Sequence, residues 1–167
     1  ITCEAPMSGD AMFEIQHRFW QPSRWPGGSK ARFSQHYELW TNFYFFLDIL
    51  GEHKQGGQAG GKVDVVMSDA TMAEPDVFYY VPSRKNCLVD RNYFVGPPDL
   101  AVEIVAPATA AWDRGRRRDA YAKAGVPYFW LVMPETDFLL AYELHEGYYQ
   151  QTRAFHVGES FRHPLSK

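Results

Sequence analysis

The run Gly96-Pro97-Pro98-Asp99-Leu100-Ala101-Val102-Glu103-Ile104-Val105-Ala106-Pro107 decides how this chain is read. Prolines bracket a stretch that is apolar but for one glutamate. Proline sits at strand ends because it donates nothing to a ladder, so Leu100 to Val105 is expected to be a strand. Side chains alternate across a strand, which puts Asp99, Ala101, Glu103 and Val105 on one face and Leu100, Val102 and Ile104 on the other. Glu103 then stands mid-strand among apolar residues. A buried carboxylate with no partner is costly, so it calls for a cation, a metal or water. A solvent-facing position or a structural ion pair would satisfy it as well.

Downstream, a helix is expected from about Thr109 to Ala124, closed by Gly125. The apolar run Tyr128-Phe129-Trp130-Leu131-Val132-Met133, ended by Pro134, reads as a strand covered on both faces. Strand, helix and strand between residues 99 and 133 make a βαβ-like unit. The expected class is α/β, with helices packed on a mixed sheet. On the helix, Asp113, Arg117 and Tyr121 fall at i, i+4 and i+8 and share a face. Turned to solvent, they form a surface ladder. Turned toward Glu103, they bring Arg117 to pair with it or to contact a phosphate. Further on, strands near Phe138 to Leu144 and Tyr148 to Phe155 flank Glu146-Gly147 as a hairpin.

Upstream, Val63 to Met67 and Asp76 to Val81 read as strands. Asp76 follows Pro75, with Val77, Tyr79 and Val81 on the opposite face; Glu74-Pro75-Asp76 reads equally as a turn. If the strands of Asp76 and Glu103 adjoin, their carboxylates converge and repel unless a divalent cation neutralises them. Mg²⁺ takes one or two carboxylates plus water and phosphate oxygens, and such a site activates water against a phosphoryl group. Residues 55–61, Gln-Gly-Gly-Gln-Ala-Gly-Gly, are expected to form a flexible loop; without G-x-x-x-x-G-K-[ST] they are not expected to cradle phosphate. A helix from Ser34 to about Leu50 has Ser34 as N-cap, Gly51 as stop and aromatic residues for the core. Residues 1–33, with Pro6, Pro22, Pro26 and Gly27-Gly28, read as irregular, apart from a short strand near Met12 to Ile15.

At 167 residues the chain is expected to be a single domain over 1–167, with its core over about 34–155. Apolar residues at 46% and aromatics at 16% rule out disorder. Cys3 and Cys87 make neither a disulfide scaffold nor a zinc site, so a reducing, cytoplasmic setting is expected. No leader is visible in Ile1-Thr2-Cys3-Glu4, and Phe43 to Leu50 falls far short of the roughly 20 residues that span a bilayer, so no membrane partner is expected. A net charge of −3 counts against a dedicated nucleic-acid binder. Even so, Arg114, Arg116, Arg117, Arg118 and Lys123 fall within ten residues, either as a solvated helix face or as a phosphate-contacting one.

Three segments together resemble a known family: Glu74-Pro75-Asp76-Val77, the run Gly96 to Pro107, and Asp113-Arg114-Gly115-Arg116-Arg117-Arg118-Asp119-Ala120-Tyr121-Ala122-Lys123-Ala124-Gly125-Val126-Pro127-Tyr128-Phe129-Trp130-Leu131-Val132. They are similar to the Uma-type putative restriction endonucleases, a branch of the PD-(D/E)XK nucleases. The similarity runs from about Glu14 to the C-terminus and is strongest from Glu74 to Pro134. It implies a restriction-endonuclease-like core, a central mixed β-sheet flanked by α-helices, a Mg²⁺ site (Mn²⁺ as the alternative ion) and hydrolysis of DNA phosphodiesters. Asp76 matches the metal-binding aspartate of the Pro-Asp motif, Glu103 the acidic residue of (D/E)XK, and Glu14 an N-terminal glutamate that helps hold metal. His36, Asp99, Asp113 and Tyr121 match supporting positions.

The chain departs from the pattern at several places. The family lysine on the helix is Arg117, which does not give up its proton as lysine can. The serine before the strand-ending proline is Ala106, an aspartate after the Trp-Leu-Val strand is Met133, and a glycine soon after Glu14 is absent. Lys123 points to a different helix face and is a poor substitute. Two functions lead, ahead of a metal-dependent hydrolase of another phosphodiester such as RNA or a nucleotide. One is a Mg²⁺-dependent DNA endonuclease in which Asp76, Glu103 and Arg117 act and Arg114, Arg116 and Arg118 contact the DNA backbone. The other is a catalytically degenerate module of the same fold that binds nucleic acid or protein. A homodimer would suit a duplex substrate.

Overall fold

The computed structural model describes residues 13–14, 37, 40–41, 43–44, 47–48, 57–69, 71–81, 87–90, 93–105, 112–156 and 159–161. His36, and most of residues 1–33, lie outside the described residues, as does much of the Ser34 to Leu50 helix. The strands are β1 (Phe13–Glu14), β2 (Gln58–Gly60), β3 (Asp64–Ser68), β4 (Thr71–Ala73), β5 (Val77–Tyr80), β6 (Cys87–Asp90), β7 (Tyr93–Val95), β8 (Leu100–Ile104), β9 (Tyr128–Met133), β10 (Phe138–His145), β11 (Tyr148–His156) and β12 (Ser160–Phe161). The helix α1 spans Trp112–Lys123.

Six strands form the main sheet in the order β11-β10-β9-β8-β5-β2. β8 and β9 run parallel, joined through α1, and the other neighbours are antiparallel. The expected strand–helix–strand unit and mixed sheet are both present. β9 lies between β8 and β10 with its four middle residues buried, as a run apolar at every position requires. The β10–β11 turn is Glu146-Gly147, both with positive φ (50° and 85°). Two such residues make the turn whose twist matches that of the paired strands.

Strand alternation divides the core in two. Val77, Tyr79, Leu100, Val102, Trp130, Val132 and Leu139 form one cluster, and Leu47, Trp40, Phe43 and Tyr44, all at helical positions, pack there. Phe78, Tyr80, Ala101, Phe129 and Leu131 form the other, together with Tyr121 of α1. Only α1 has both ends among the described residues, so the described architecture is mostly β.

Two features depart from the sequence expectations. A second sheet, ordered β4-β3-β7-β6, sits beside the first, and its Val65, Met67 and Phe94 pack with Phe78 and Tyr80. It forms because β3 pairs in parallel with β7, Asp64 to Val66 against Tyr93 to Val95. The other departure is the glycine-rich segment. Gln58 to Gly60 is not a loop but edge strand β2, paired with Phe78 to Tyr80. Its glycines make room for aromatic rings: a Cβ on Gly60 would meet Phe78 at 2.2 Å, and one on Gly57 would meet the Tyr79 hydroxyl at 2.0 Å. Tyr80 Oη also donates to Gln58 Oε1.

Among the described residues, no helix is long and apolar enough to cross a membrane.

Candidate functional site

β5 and β8 are neighbours, in the register Val77↔Val102, Phe78↔Ala101 and Tyr79↔Leu100. One step further along the same ladder sets Asp76 opposite Glu103. Two-residue alternation puts both on the face that carries Tyr121 rather than on the Leu47 face. Asp76 is 7% exposed and Glu103 7% exposed, so two carboxylates are buried side by side.

Each carboxylate is held by a backbone or ring donor and by a cation. The Ile104 N–H donates to Asp76 Oδ2 at 2.8 Å, and Lys62 Nζ donates to Asp76 Oδ1 at 2.7 Å. Tyr121 Oη donates to Glu103 Oε1 at 2.6 Å, and Arg117 Nη1 donates to Glu103 Oε2 at 2.7 Å. The i, i+4 spacing of Arg117 and Tyr121 thus turns toward Glu103 instead of forming a surface ladder. Burial pushes the Glu103 carboxyl up to about 7, and the Asp76 charge adds to the rise; the Tyr121 hydrogen bond and the Arg117 charge work against it. Tyr121 is also raised, by burial and by the adjacent Glu103 charge, and stays a proton donor.

The end of α1 fixes Tyr121. The Val126 N–H bonds back to the Tyr121 carbonyl at 3.1 Å and the Gly125 N–H to the Ala122 carbonyl at 3.0 Å. Gly125 has φ of 80°, and this double return is the glycine cap that its position in the sequence signalled. Tyr121 packs on Phe129 of β9 with ring centroids 5.7 Å apart.

Lys62 was not among the sequence candidates. It sits in the turn where the chain leaves β2 of one sheet for β3 of the other, with φ of 57°. The preceding Gly61 lies against the Asp76 carbonyl, which also accepts from Trp40 Nε1 at 2.6 Å; a Cβ at Gly61 would come within 2.5 Å of that carbonyl oxygen. The glycines that suggested a loop therefore let the chain pass close enough for the next residue to reach Asp76. A lysine directly after a glycine run and before a strand was the available signal.

The other expected residues lie apart or undescribed. Asp99 is buried at the far end of β8, where its N–H donates to the Tyr79 carbonyl and its Oδ2 accepts from the Val81 N–H at 2.7 Å. It is four residues along the strand from Glu103 and clamps β5 to β8 there. Glu14 lies in β1, paired with Ser160 of β12 in a two-stranded sheet; its side chain, and those of Asp113 and Arg114, lie outside the described set, as does His36. Arg116 and Arg118 are exposed on α1, with Arg118 also 6.0 Å from the Tyr142 ring centre. Lys123 is exposed as well.

A family described as "Uma2: Putative restriction endonuclease" matches residues 26–166. The chain belongs to the Uma2 family. Among solved structures, it is similar to a "putative nuclease belonging to DUF820" from Anabaena variabilis ATCC 29413, at 17% identity and a TM-score of 0.58. That match covers 80% of this chain and 69% of the other. At such identity the likeness is one of fold. No curated protein matches. In this Uma2 member the sheet and α1 bring Glu103 and Arg117 together, with Asp76 across the ladder.

Among the described residues no group of three His, Cys, Asp or Glu side chains forms a metal cage. A hard divalent ion does not require one, since Mg²⁺ is held by one or two carboxylates with water completing its shell. Two buried carboxylates facing each other across a ladder are a donor set that fits such an ion.

Proposed function

We propose that this chain is a Mg²⁺-dependent DNA endonuclease that hydrolyses phosphodiester bonds. The observation that carries this reading is the placement of Asp76 opposite Glu103, on the face where α1 delivers Arg117 and Tyr121. Asp76 and Glu103 would hold the ion, with Mn²⁺ as an alternative and Glu14 as a further ligand expected from the family resemblance. When bound, the ion polarises the scissile phosphoryl group and makes water more acidic. Arg117 keeps its proton at any working pH, so its role is to bind the scissile phosphate and offset charge developing there. Tyr121 holds Glu103 in place. Arg114, Arg116 and Arg118 contact phosphates along the strand and position the duplex without reading its sequence. A cytoplasmic location, a duplex-matched homodimer and helices on both faces of the sheet belong to the same reading.

One observation favours a second reading. Glu103 already has Arg117 on one oxygen and Tyr121 on the other, so both oxygens have a protein partner. A degenerate module that binds nucleic acid or protein would keep such a pair for structure alone.

Cleavage of supercoiled plasmid separates the two. Wild type, Glu103→Ala and Arg117→Lys are compared with Mg²⁺ or Mn²⁺, with thermal melts to confirm folding. Metal-dependent nicking lost in Glu103→Ala supports the nuclease. Nicking that appears only in Arg117→Lys marks a disabled one, and silence from all three leaves the binding module.

A further inference from the structure

We propose that Lys62 is an internal stand-in for the divalent cation of this site, and that its release from Asp76 couples metal binding to phosphate binding. The inference rests on the reading of Asp76 and Glu103 as metal ligands.

Charge balance is the first argument. Two buried carboxylates face two cationic side chains, Lys62 on Asp76 and Arg117 on Glu103, each at 2.7 Å. A divalent ion entering between these carboxylates meets two like charges at close range. One of the two side chains must give way, and the two are not equal. The Arg117 guanidinium shares Glu103 with Tyr121 and extends from a helix whose end is capped. Exposure does not separate them, at 50% for the Lys62 side chain and 45% for Arg117, but Lys62 carries a single compact ammonium on a flexible stem where Arg117 carries a planar fork. The other oxygen of Asp76 is tied to the Ile104 amide, so the atom under Lys62 is the one placed to take a different cation.

Backbone conformation is the second argument. A non-glycine residue at φ of 57° is disfavoured, and such positions persist where the surroundings impose them. Glycine would fit this turn without strain. Lysine there brings an ammonium to Asp76 from a strand connection, on the opposite carboxylate from α1. Once off Asp76, that ammonium remains beside the carboxylates, where a substrate phosphate would arrive. Metal would thus free a phosphate ligand, and phosphate would draw Lys62 off the metal seat. Such coupling is reciprocal by thermodynamic necessity.

The test is Mn²⁺ binding by isothermal titration to wild type, Lys62→Met, Lys62→Arg and Glu103→Gln. It is joined by the affinity of a short DNA duplex with and without Ca²⁺. Thermal melts establish that each variant is folded. Lys62→Met is expected to bind Mn²⁺ roughly fivefold tighter than wild type, the scale of a half-exposed ion pair, while Lys62→Arg stays near wild type. The tightening of DNA binding by Ca²⁺ should shrink in Lys62→Met by a similar factor. Mn²⁺ bound by wild type, weakened in Glu103→Gln and unchanged or weaker in Lys62→Met, overturns the Lys62 inference and leaves the metal site standing. Absence of Mn²⁺ binding in every variant overturns both.

Discussion

The β5–β8 ladder has a buried aspartate at each end, and the two are used in opposite ways. Asp99 ties two main-chain groups: its N–H donates to the Tyr79 carbonyl and its Oδ2 accepts from the Val81 N–H, closing the ladder. Asp76 uses one oxygen in the same way, on the Ile104 N–H, and turns the other to a lysine beside a second buried acid. Burial and residue type are alike, so neither marks a site. Asp76 has a second carboxylate across the ladder and the Lys62 ammonium at 2.7 Å.

The sharpest way to break this contrast is to remove an acid at each end. Asp76→Ala and Glu103→Ala are expected to lower metal-dependent plasmid cleavage at least about a hundredfold, on the scale of losing an electrostatic catalytic group. Asp99→Ala should leave cleavage per folded molecule within a few-fold. A comparable loss in Asp99→Ala would erase the distinction.

Stability should show the reverse ranking for Asp99. Its removal strands the Val81 N–H in the core and is expected to lower unfolding free energy by about 1–3 kcal/mol in urea titrations. A cost below measurement would mean the clamp does not hold the ladder.

Dependence on pH separates the two ends further in metal-free protein. The Glu103 carboxyl lies at about 7 in the folded chain, above its ordinary 4.5. The folded state thus binds this proton more tightly than the unfolded state. Stability from this group is full below about 4.5 and declines as pH rises through about 7, by roughly 3 kcal/mol at most. Urea midpoints of wild type relative to Glu103→Gln should therefore drop between pH 5 and pH 8. A flat difference would show that Arg117 and Tyr121 offset the burial of Glu103 fully.

The smallest effect concerns the frame. Gly125→Ala places a side chain at φ of 80° and should cost about 1 kcal/mol, loosening the turn that anchors Tyr121. A melting temperature equal to wild type would show that Tyr121 is held by its ring contacts alone.

Much of this was legible in the chain because the signals were local. Prolines bounded β8, Gly125 ended α1, Glu146-Gly147 made the hairpin, and i, i+4 spacing put Arg117 and Tyr121 on one face. What escaped was set by residues distant in sequence. The glycines before Lys62 read as a loop, because their purpose lies in the rings of Phe78 and Tyr79, about twenty residues on. The second sheet depends on a parallel pairing between β3 and β7, for which neither short strand carries a cue. Lys62 was missed for the same reason: fourteen residues separate it from Asp76, and no periodicity links them. For Asp99, alternation gave the face it shares with Glu103, but not that its bonds reach the Tyr79 and Val81 main chain about twenty residues back.

The bond from the Ile104 amide to Asp76 ties one acid to the strand that carries the other. Slip β5 by a single residue against β8, and that tie is lost while Asp76 swings to the opposite side of the sheet, among the aliphatic residues that pack on Leu47. Alignment of two neighbouring strands is therefore also the address of the paired acids, so a misaligned chain loses its packing and its pair at once.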